Sequence, residues 1–210
     1  HVAANGQARL EIFPREDLRD RARLVGFVDA VRALAPRVTG SPVTILEAGR
    51  VVVNAFLQAA VISVVLISLL IAVLLRRLHD VLLVFLPLAL AALLTIAMSV
   101  LLDIPFNFAN VIVLPLLFGL GVASSIHLVF RAREASDYTE LLLTSTPRAV
   151  VFSALTTIGS FGSIALSSHP GTSSMGILLT IAITATLICT LVVLPALLAL
   201  FGVGKAVPRP

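Results

Sequence analysis

The sequence predicts a mainly α, polytopic membrane protein: five transmembrane helices preceded by a β-α-β piece of an extramembrane α/β subdomain. Three observations predict it. Of 210 residues, 59% are hydrophobic and 12% are charged, where a soluble domain has about 45–50% apolar and about 25% charged residues. Mean hydropathy is +1.09. After Ala48 the chain returns repeatedly to apolar runs that match the length of about 20 residues needed to cross hydrocarbon.

Residues 1–47 differ in character from everything after them. Gln7 to Phe13 alternates, with Ala8, Leu10 and Ile12 against Arg9 and Glu11, and reads as a half-buried strand ended by Pro14. Between Asp17 and Leu34 the residues Leu18, Leu24, Val25, Phe27, Val28, Val31 and Leu34 recur at helical spacing among charges. Asp17 is the expected N-cap and Pro36 the stop. A turn-rich stretch from Arg37 to Pro42 leads to Val43–Leu46, expected as a second strand. About 47 residues are too few to bury a core of their own, so this unit reads as the tail of a larger extramembrane domain.

The membrane domain is expected over 48–204, with spans at about 48–75, 81–102, 108–130, 148–167 and 173–202 and a short tail at 205–210. Arg76 and Arg77 close the first span, and Asp103 to Asn107 separates the second from the third. The third closes on Arg131 and Arg133. Glu134 to Ser145 is polar apart from Leu141–Leu143, which suggests an interfacial helix. Ser145 is the expected cap of the fourth span, with Pro147 at its start, and Ser168 to Gly171 turns the chain into the fifth. Pro87 and Pro115 fall within spans and are expected to bend them. The chain begins at His1 with no signal-peptide pattern and reads as part of a longer protein.

Loop charge sets an orientation. All seven Lys and Arg residues after Arg50 fall in alternate connections: Arg76, Arg77; Arg131, Arg133, Arg148; Lys205, Arg209. The positive-inside rule puts those connections and the C-terminus in the cytoplasm. Residues 1–47 then lie outside, which in a Gram-negative cell means the periplasm and makes the membrane the inner one. The sequence pI of about 10.5 is accounted for by this topology. The basic residues form no stripe interleaved with aromatics, so no nucleic-acid partner is expected.

The central parts of the spans hold no Asp, Glu, Lys or Arg, yet they are not featureless. Gly119, Gly121, Ala123, Ser124 and Ser125 form a small-residue segment in the third span, followed by His127 and Arg131. Ser153, Thr156, Thr157, Ser160 and Ser163 lie near one another on the fourth, beside Gly159 and Gly162. Gly176, Thr180 and Thr184 make a row on the fifth at spacings of four. Small residues let helices approach closely where lipid supplies no hydrophobic drive, so Gly119, Gly121, Gly159, Gly162 and Gly176 are candidate packing positions. The hydroxyls can bond back to a carbonyl one turn earlier or across to a neighbour, or take part in a proton or ion relay. His127 is either an interfacial residue near the headgroups or a titrating one, since an imidazole exchanges protons near neutral pH and ionisable groups within spans are commonly functional.

No HExxH, CxxC, GxSxG or phosphate-binding loop is present. Covalent catalysis is therefore not expected; no residue is assigned a catalytic or metal-binding role, and no cofactor is called for. The single cysteine, Cys189, lies in an apolar run and cannot form an internal disulfide.

Three segments carry a resemblance. GLGVASSIHLVFRARE, Gly119 to Glu134, resembles the GxGVDxxIH…R-E helix of the resistance-nodulation-division (RND) superfamily, in its MMPL and sterol-sensing-like branch. PRAVVFSALTTIGSFG and the run ending LVVLPALLAL resemble the two helices that follow, with the paired threonines and the closing LPALL. The resemblance covers nearly the whole chain and is strongest to the C-terminal part of hopanoid-biosynthesis-associated RND transporters. It implies that the full-length protein has two repeats, that this chain is the last part of the second, and that the first repeat is its intramolecular partner. It further implies a proton-driven exporter of an apolar, hopanoid-like lipid, embedded among membrane lipids and possible as a homodimer. Ala123 stands where the family pattern has a carboxylate. Either the relay depends on the first repeat, or His127, Thr156 and Thr157 supply hydrogen-bonding support only. A protein-export auxiliary or sterol-sensing-like module, needing no relay, is the alternative that this departure keeps open; an ion channel is weaker, because no charged ring or filter-like loop is visible.

Overall fold

The computed structural model describes residues 10–18, 20–75, 78–134 and 144–201. The helices in chain order are α1 (Arg21–Leu34), α2 (Ser41–Leu75), α3 (Leu78–Leu101), α4 (Val113–Glu134), α5 (Ser145–Ala165) and α6 (Pro170–Ile188); a π-helical turn, Cys189–Val193, then joins α6 to α7 (Leu194–Leu200). Five stretches are long and apolar enough to cross a membrane: α2, α3, α4, α5, and α6 continued through α7. The molecule is thus a multi-pass membrane protein in which the described backbone bonds within helices, as a medium without hydrogen-bonding partners requires. The chain divides into two compact units between Val52 and Val53.

In the first unit the expected β-α-β arrangement is replaced by helix. Among the described residues no strand forms at 10–13, and residues 7–9 of the expected strand lie outside them. Val43–Leu46 is the opening of α2, not a strand. A four-residue apolar run is ambiguous by periodicity alone. What decides it is context: Gly40, at φ 144°, takes a conformation open to glycine, Pro42 suits a first helical turn, and no turn signal separates Leu46 from Ala48. The cap of α1 is Asp20, whose Oδ1 accepts the Ala22 N–H at 2.8 Å, three residues later than the expected Asp17. At the other end the Ala35 N–H bonds the Val31 carbonyl and Pro36 prevents continuation. Arg32 on α1 meets Glu47 on α2 at 2.8 Å, an exposed pair of a kind worth about 0–1 kcal/mol, beside buried Val28, Val31 and Leu46.

The second unit is built around α6, which packs on α3, α4 and α5. Half of the α6–α7 span is buried, against 6% of the α5 span, so the last span is the hub and α5 lies at its edge. One apolar cluster gathers Ile71, Val84, Leu88, Leu128, Leu194 and Leu198. A second gathers Ala91, Val113, Leu117, Leu178, Leu179 and Ala182. The Phe85 and Phe118 rings, 6.5 Å apart and inclined at 44°, tie α3 to α4.

Several helix starts differ from expectation, each for a local reason. α4 begins at Val113, not at 108, because Asn107 and Asn110 hold the preceding turn. Asn107 Oδ1 accepts from the Ala109 and Asn110 N–H groups at 2.8 and 3.1 Å. Asn110 Oδ1 accepts from the Asn107 N–H at 2.8 Å, and its Nδ2 donates to the Pro105 carbonyl at 3.1 Å. Pro115 therefore sits in the first turn of α4, where its missing N–H leaves no carbonyl unpaired, and it is not a mid-span bend. Pro87 is inside α3. α5 starts at Ser145 with Thr144, not Ser145, as its cap residue. The π turn has a covalent cause: Pro195 cannot donate to the carbonyl a turn earlier, and the Leu194 N–H bonds instead to Cys189, five residues back. The expected interfacial segment at Leu141–Leu143 and the tail at 205–210 lie outside the described residues.

The tightest joint closes the α5–α6 hairpin. A methyl group added at Gly176 would overlap the Ala165 backbone nitrogen and stand 2.8 Å from the Ala165 Cα. Ser173 Oγ donates to the Ala165 carbonyl at 2.7 Å, satisfying a carbonyl that the end of α5 leaves open. A backbone neighbour cannot rotate away. We therefore expect Gly176→Ala to destabilise the folded protein by at least the roughly 1–3 kcal/mol typical of overpacking, measured as thermal unfolding in detergent. Gly159→Ala should instead be close to neutral within this unit, since nothing lies within 4 Å of the added methyl. Asn110 is fully buried and carries three polar contacts; Asn110→Ala should cost about 1–3 kcal/mol in the same measurement.

Candidate functional site

The small and polar residues of α4 are sorted onto three directions by helical geometry. Gly119, Ala123, His127 and Arg131 follow one another at spacings of four and are exposed. Val122, Ser125, Leu128 and Val129 face inward and are buried. Gly121 is buried with the inward-facing group, while half-buried Ser124 lies between the two directions, towards α5 and α6. A methyl at Gly121 would overlap Leu88 Cδ2 and stand 2.8 Å from Thr186 Cγ2, so this glycine is where α3, α4 and α6 meet. Gly119, like Gly159, has nothing within 4 Å of an added methyl, and among the described residues neither is at a helix contact. Gly162 is intermediate, 3.9 Å from Thr180 Oγ1.

The hydroxyl stripe of α5 is occupied by its own backbone. Thr156 Oγ1 donates to the Phe152 carbonyl and Thr157 Oγ1 to that of Ser153, both at 2.8 Å. Ser160 Oγ donates to the Thr156 carbonyl at 2.9 Å and Ser163 Oγ to that of Ser160 at 2.7 Å. Thr180 and Thr184 on α6 do likewise, at 2.8 Å, to Gly176 and Thr180. With their protons committed in this way, these groups present acceptor lone pairs but no free donor. Ser153, Thr156, Ser160 and Ser163 are exposed, while Thr157 is half-buried. The stripe is therefore an outer face of the bundle and not a bridge to α4.

Of the expected relay-support residues, the structure brings Thr157, but neither His127 nor Thr156, to an internal site. A half-open cavity of about 60 Å³ lies between α4, α5 and α6, lined by Gly121, Ser124, Ser153, Thr157, Thr186 and Thr190 among others. Thr186 Oγ1 donates to the Ala182 carbonyl at 2.7 Å. Thr190, in the π turn and fully buried, has no hydrogen-bond partner for its Oγ1; Ser125 Oγ is in the same condition. Sequence reading missed Thr190 and Thr186 because it followed the Gly176–Thr180–Thr184 row, which ends on exposed Thr184. It missed the polar tie between Asn107, Asn110 and Ser174, whose side chains meet at 3.5 Å, because their separation in sequence is long. Among the described residues no group of three or more His, Cys, Asp or Glu side chains could hold a metal ion.

A five-span bundle with neutral spans and a short amphiphilic unit before it is the architecture of a polytopic membrane module. The chain matches the profile of the MMPL family over residues 15–210, and it belongs to that family. It is 45% identical over 194 residues to the protein named hopanoid transporter HpnN of Rhodopseudomonas palustris (strain TIE-1), covering 92% of this chain and 22% of that protein. To hopanoid transporter HpnN of Burkholderia multivorans (strain ATCC 17616 / 249) it is 43% identical over 209 residues, covering 98% of this chain and 24% of the relative. The chain thus spans about a quarter of the length of these relatives.

The back-bonded stripe has a measurable consequence. Thr156→Val and Ser160→Ala remove hydroxyls that are exposed and bonded only within their own helix, so each should change the stability of the isolated bundle by no more than about 0.5 kcal/mol. A larger loss on thermal unfolding would mean that the hydroxyls bond across to another element.

Proposed function

We propose that this chain is the C-terminal part of an inner-membrane, proton-motive-force-driven RND exporter that moves apolar lipids, hopanoids by class, towards the outer membrane. The observation that carries this reading is 43–45% identity to two hopanoid transporters across nearly the entire chain, together with membership of the MMPL family. In this reading residues 1–47 belong to a periplasmic porter-like domain and residues 48–204 to the membrane domain of the second repeat. The tail at 205–210 is cytoplasmic, as are the connections that carry Arg76, Arg77, Arg131, Arg133 and Arg148.

The exposed faces of α4 and α5 fit a role as the surface that meets the first repeat of the same protein. A row of Gly119, Ala123 and His127 beside a stripe of back-bonded hydroxyls gives a low-relief surface suited to close helix packing, and relatives about four times as long contain the chain needed to cover it. Proton movement in this half is then limited by Ala123, which has no titratable group. His127, Thr156 and Thr157 act as hydrogen-bonding support, with the carboxylate supplied from the first repeat. The observation at Ala123 also favours a second reading, a sterol-sensing-like or protein-export auxiliary module that uses the same bundle without a relay.

The two readings separate in a strain lacking the full-length gene. Export predicts that hopanoids accumulate in the inner-membrane fraction and fall in the outer-membrane fraction, with recovery on complementation; an unchanged distribution rules export out. His127→Leu in the complementing copy, which removes both ring nitrogens, should lower export without changing protein level, and a wild-type rate would remove His127 from this support role. For topology, a cysteine replacing Asp103 should react with an impermeant maleimide in intact spheroplasts, while one replacing Arg148 should react only after lysis.

A further inference from the structure

We propose that the cavity between α4, α5 and the π turn is a water-binding site, in which ordered water hydrogen-bonds Thr190 and reaches the interior of the bundle from the face shared by α4 and α5. The inference begins with Thr190. Its side chain is fully buried and its Oγ1 has no partner, although the threonines at 95, 156, 157, 180, 184 and 186 all donate to a carbonyl four residues back. The exception falls where the helix changes pitch: the Cys189 N–H is shared between the Ala185 and Thr186 carbonyls, and the Leu194 N–H reaches five residues back to Cys189.

The carbonyl of the same residue also loses its regular helical donors. The Thr190 carbonyl would pair with the Leu194 N–H in an α-helix, but that group bonds to Cys189. In a π-helix it would pair with residue 195, which is proline and has no N–H. A buried hydroxyl left without a bond is destabilising, and π turns are frequent at functional sites.

The cavity has the size and chemistry to supply the missing partner. Its volume of about 60 Å³ exceeds the roughly 10–15 Å³ that one water molecule requires. A bound water also needs two to four polar contacts. Thr190, Ser124, Ser153, Thr157 and Thr186 all line the cavity, and Thr157 and Thr186, whose protons are committed within their helices, still offer lone pairs as acceptors. Leu120 and Ser153, both exposed, mark its mouth. The volume is far too small for a lipid of hopanoid size, so the occupant is water and not the cargo. The proposal does not depend on whether the protein exports a lipid.

Ser125 provides an internal reference. It too is fully buried with an unpartnered Oγ, but it is not among the residues that line the cavity. A bare hydroxyl and a hydrated one respond to removal with opposite sign. Deleting a bare buried hydroxyl relieves an unsatisfied group, whereas deleting a hydrated one strands the water. In the full-length protein in nanodiscs, Thr190→Val should lower the midpoint of thermal unfolding, Ser125→Ala should leave it unchanged or raise it, and Ser124→Ala combined with Thr190→Val should be non-additive. X-ray hydroxyl-radical footprinting of the wild type should modify the peptide containing Leu187–Thr190, scored at Leu187 and not at the intrinsically reactive Cys189, more than the one containing Leu178–Ala182, which holds no cavity-lining residue. A rise in the midpoint for Thr190→Val overturns the proposal. So does a footprint in which the two wild-type peptides are equally protected, a result that stands even if the valine variant fails to fold.

Discussion

The second unit depends on one contact that no side chain makes. At Gly176 the backbone of α6 lies against the backbone of α5 at Ala165, and Ser173 closes the end of α5 by donating to the same residue's carbonyl. Apolar burial cannot hold helices together in a lipid that is itself apolar, so close backbone approach is among the few attractive forces left. Once that joint is made, α6 is fixed as the helix on which α3 and α4 also pack. The large side chains of both clusters then fill the space that this arrangement defines.

A second constraint runs through every span: polar groups at membrane depth must find partners within reach. The described spans meet it by the most local route available, with hydroxyls donating one turn back along their own helix. Polarity that looks like a relay in the sequence is thereby spent within each helix. The exceptions, Thr190 and Ser125, stand out because the rule is otherwise kept so closely.

How much of this was readable in advance follows from range. Span number and approximate limits depend on runs of apolar residues and were legible, with ends displaced by at most seven residues. The first unit was misread because Val43–Leu46 is too short to have a period, and only continuity with Glu47 to Arg50 shows it to be helix. Gly176, Gly119 and Gly159 are indistinguishable as letters. Only the neighbour across the hairpin makes Gly176 indispensable to packing and leaves the other two open. Thr190 was invisible for a related reason: its isolation goes with a π turn, which comes before a proline five residues away and cannot be read from the local letters.

The π turn at Cys189–Val193 does more than accommodate Pro195. In an uninterrupted α-helix each residue advances by about 100°, so positions sixteen apart, such as Ala182 and Leu198, would point in nearly opposite directions. Both are fully buried. The wider turn holds one extra residue and sets back the angular phase of the last span by about 100°, which turns Leu194 and Leu198 towards the middle of the buried face. One proline therefore governs the azimuth of the whole final segment. Removing a single residue from this turn would be read by the bundle as a rotation of its last two turns into lipid.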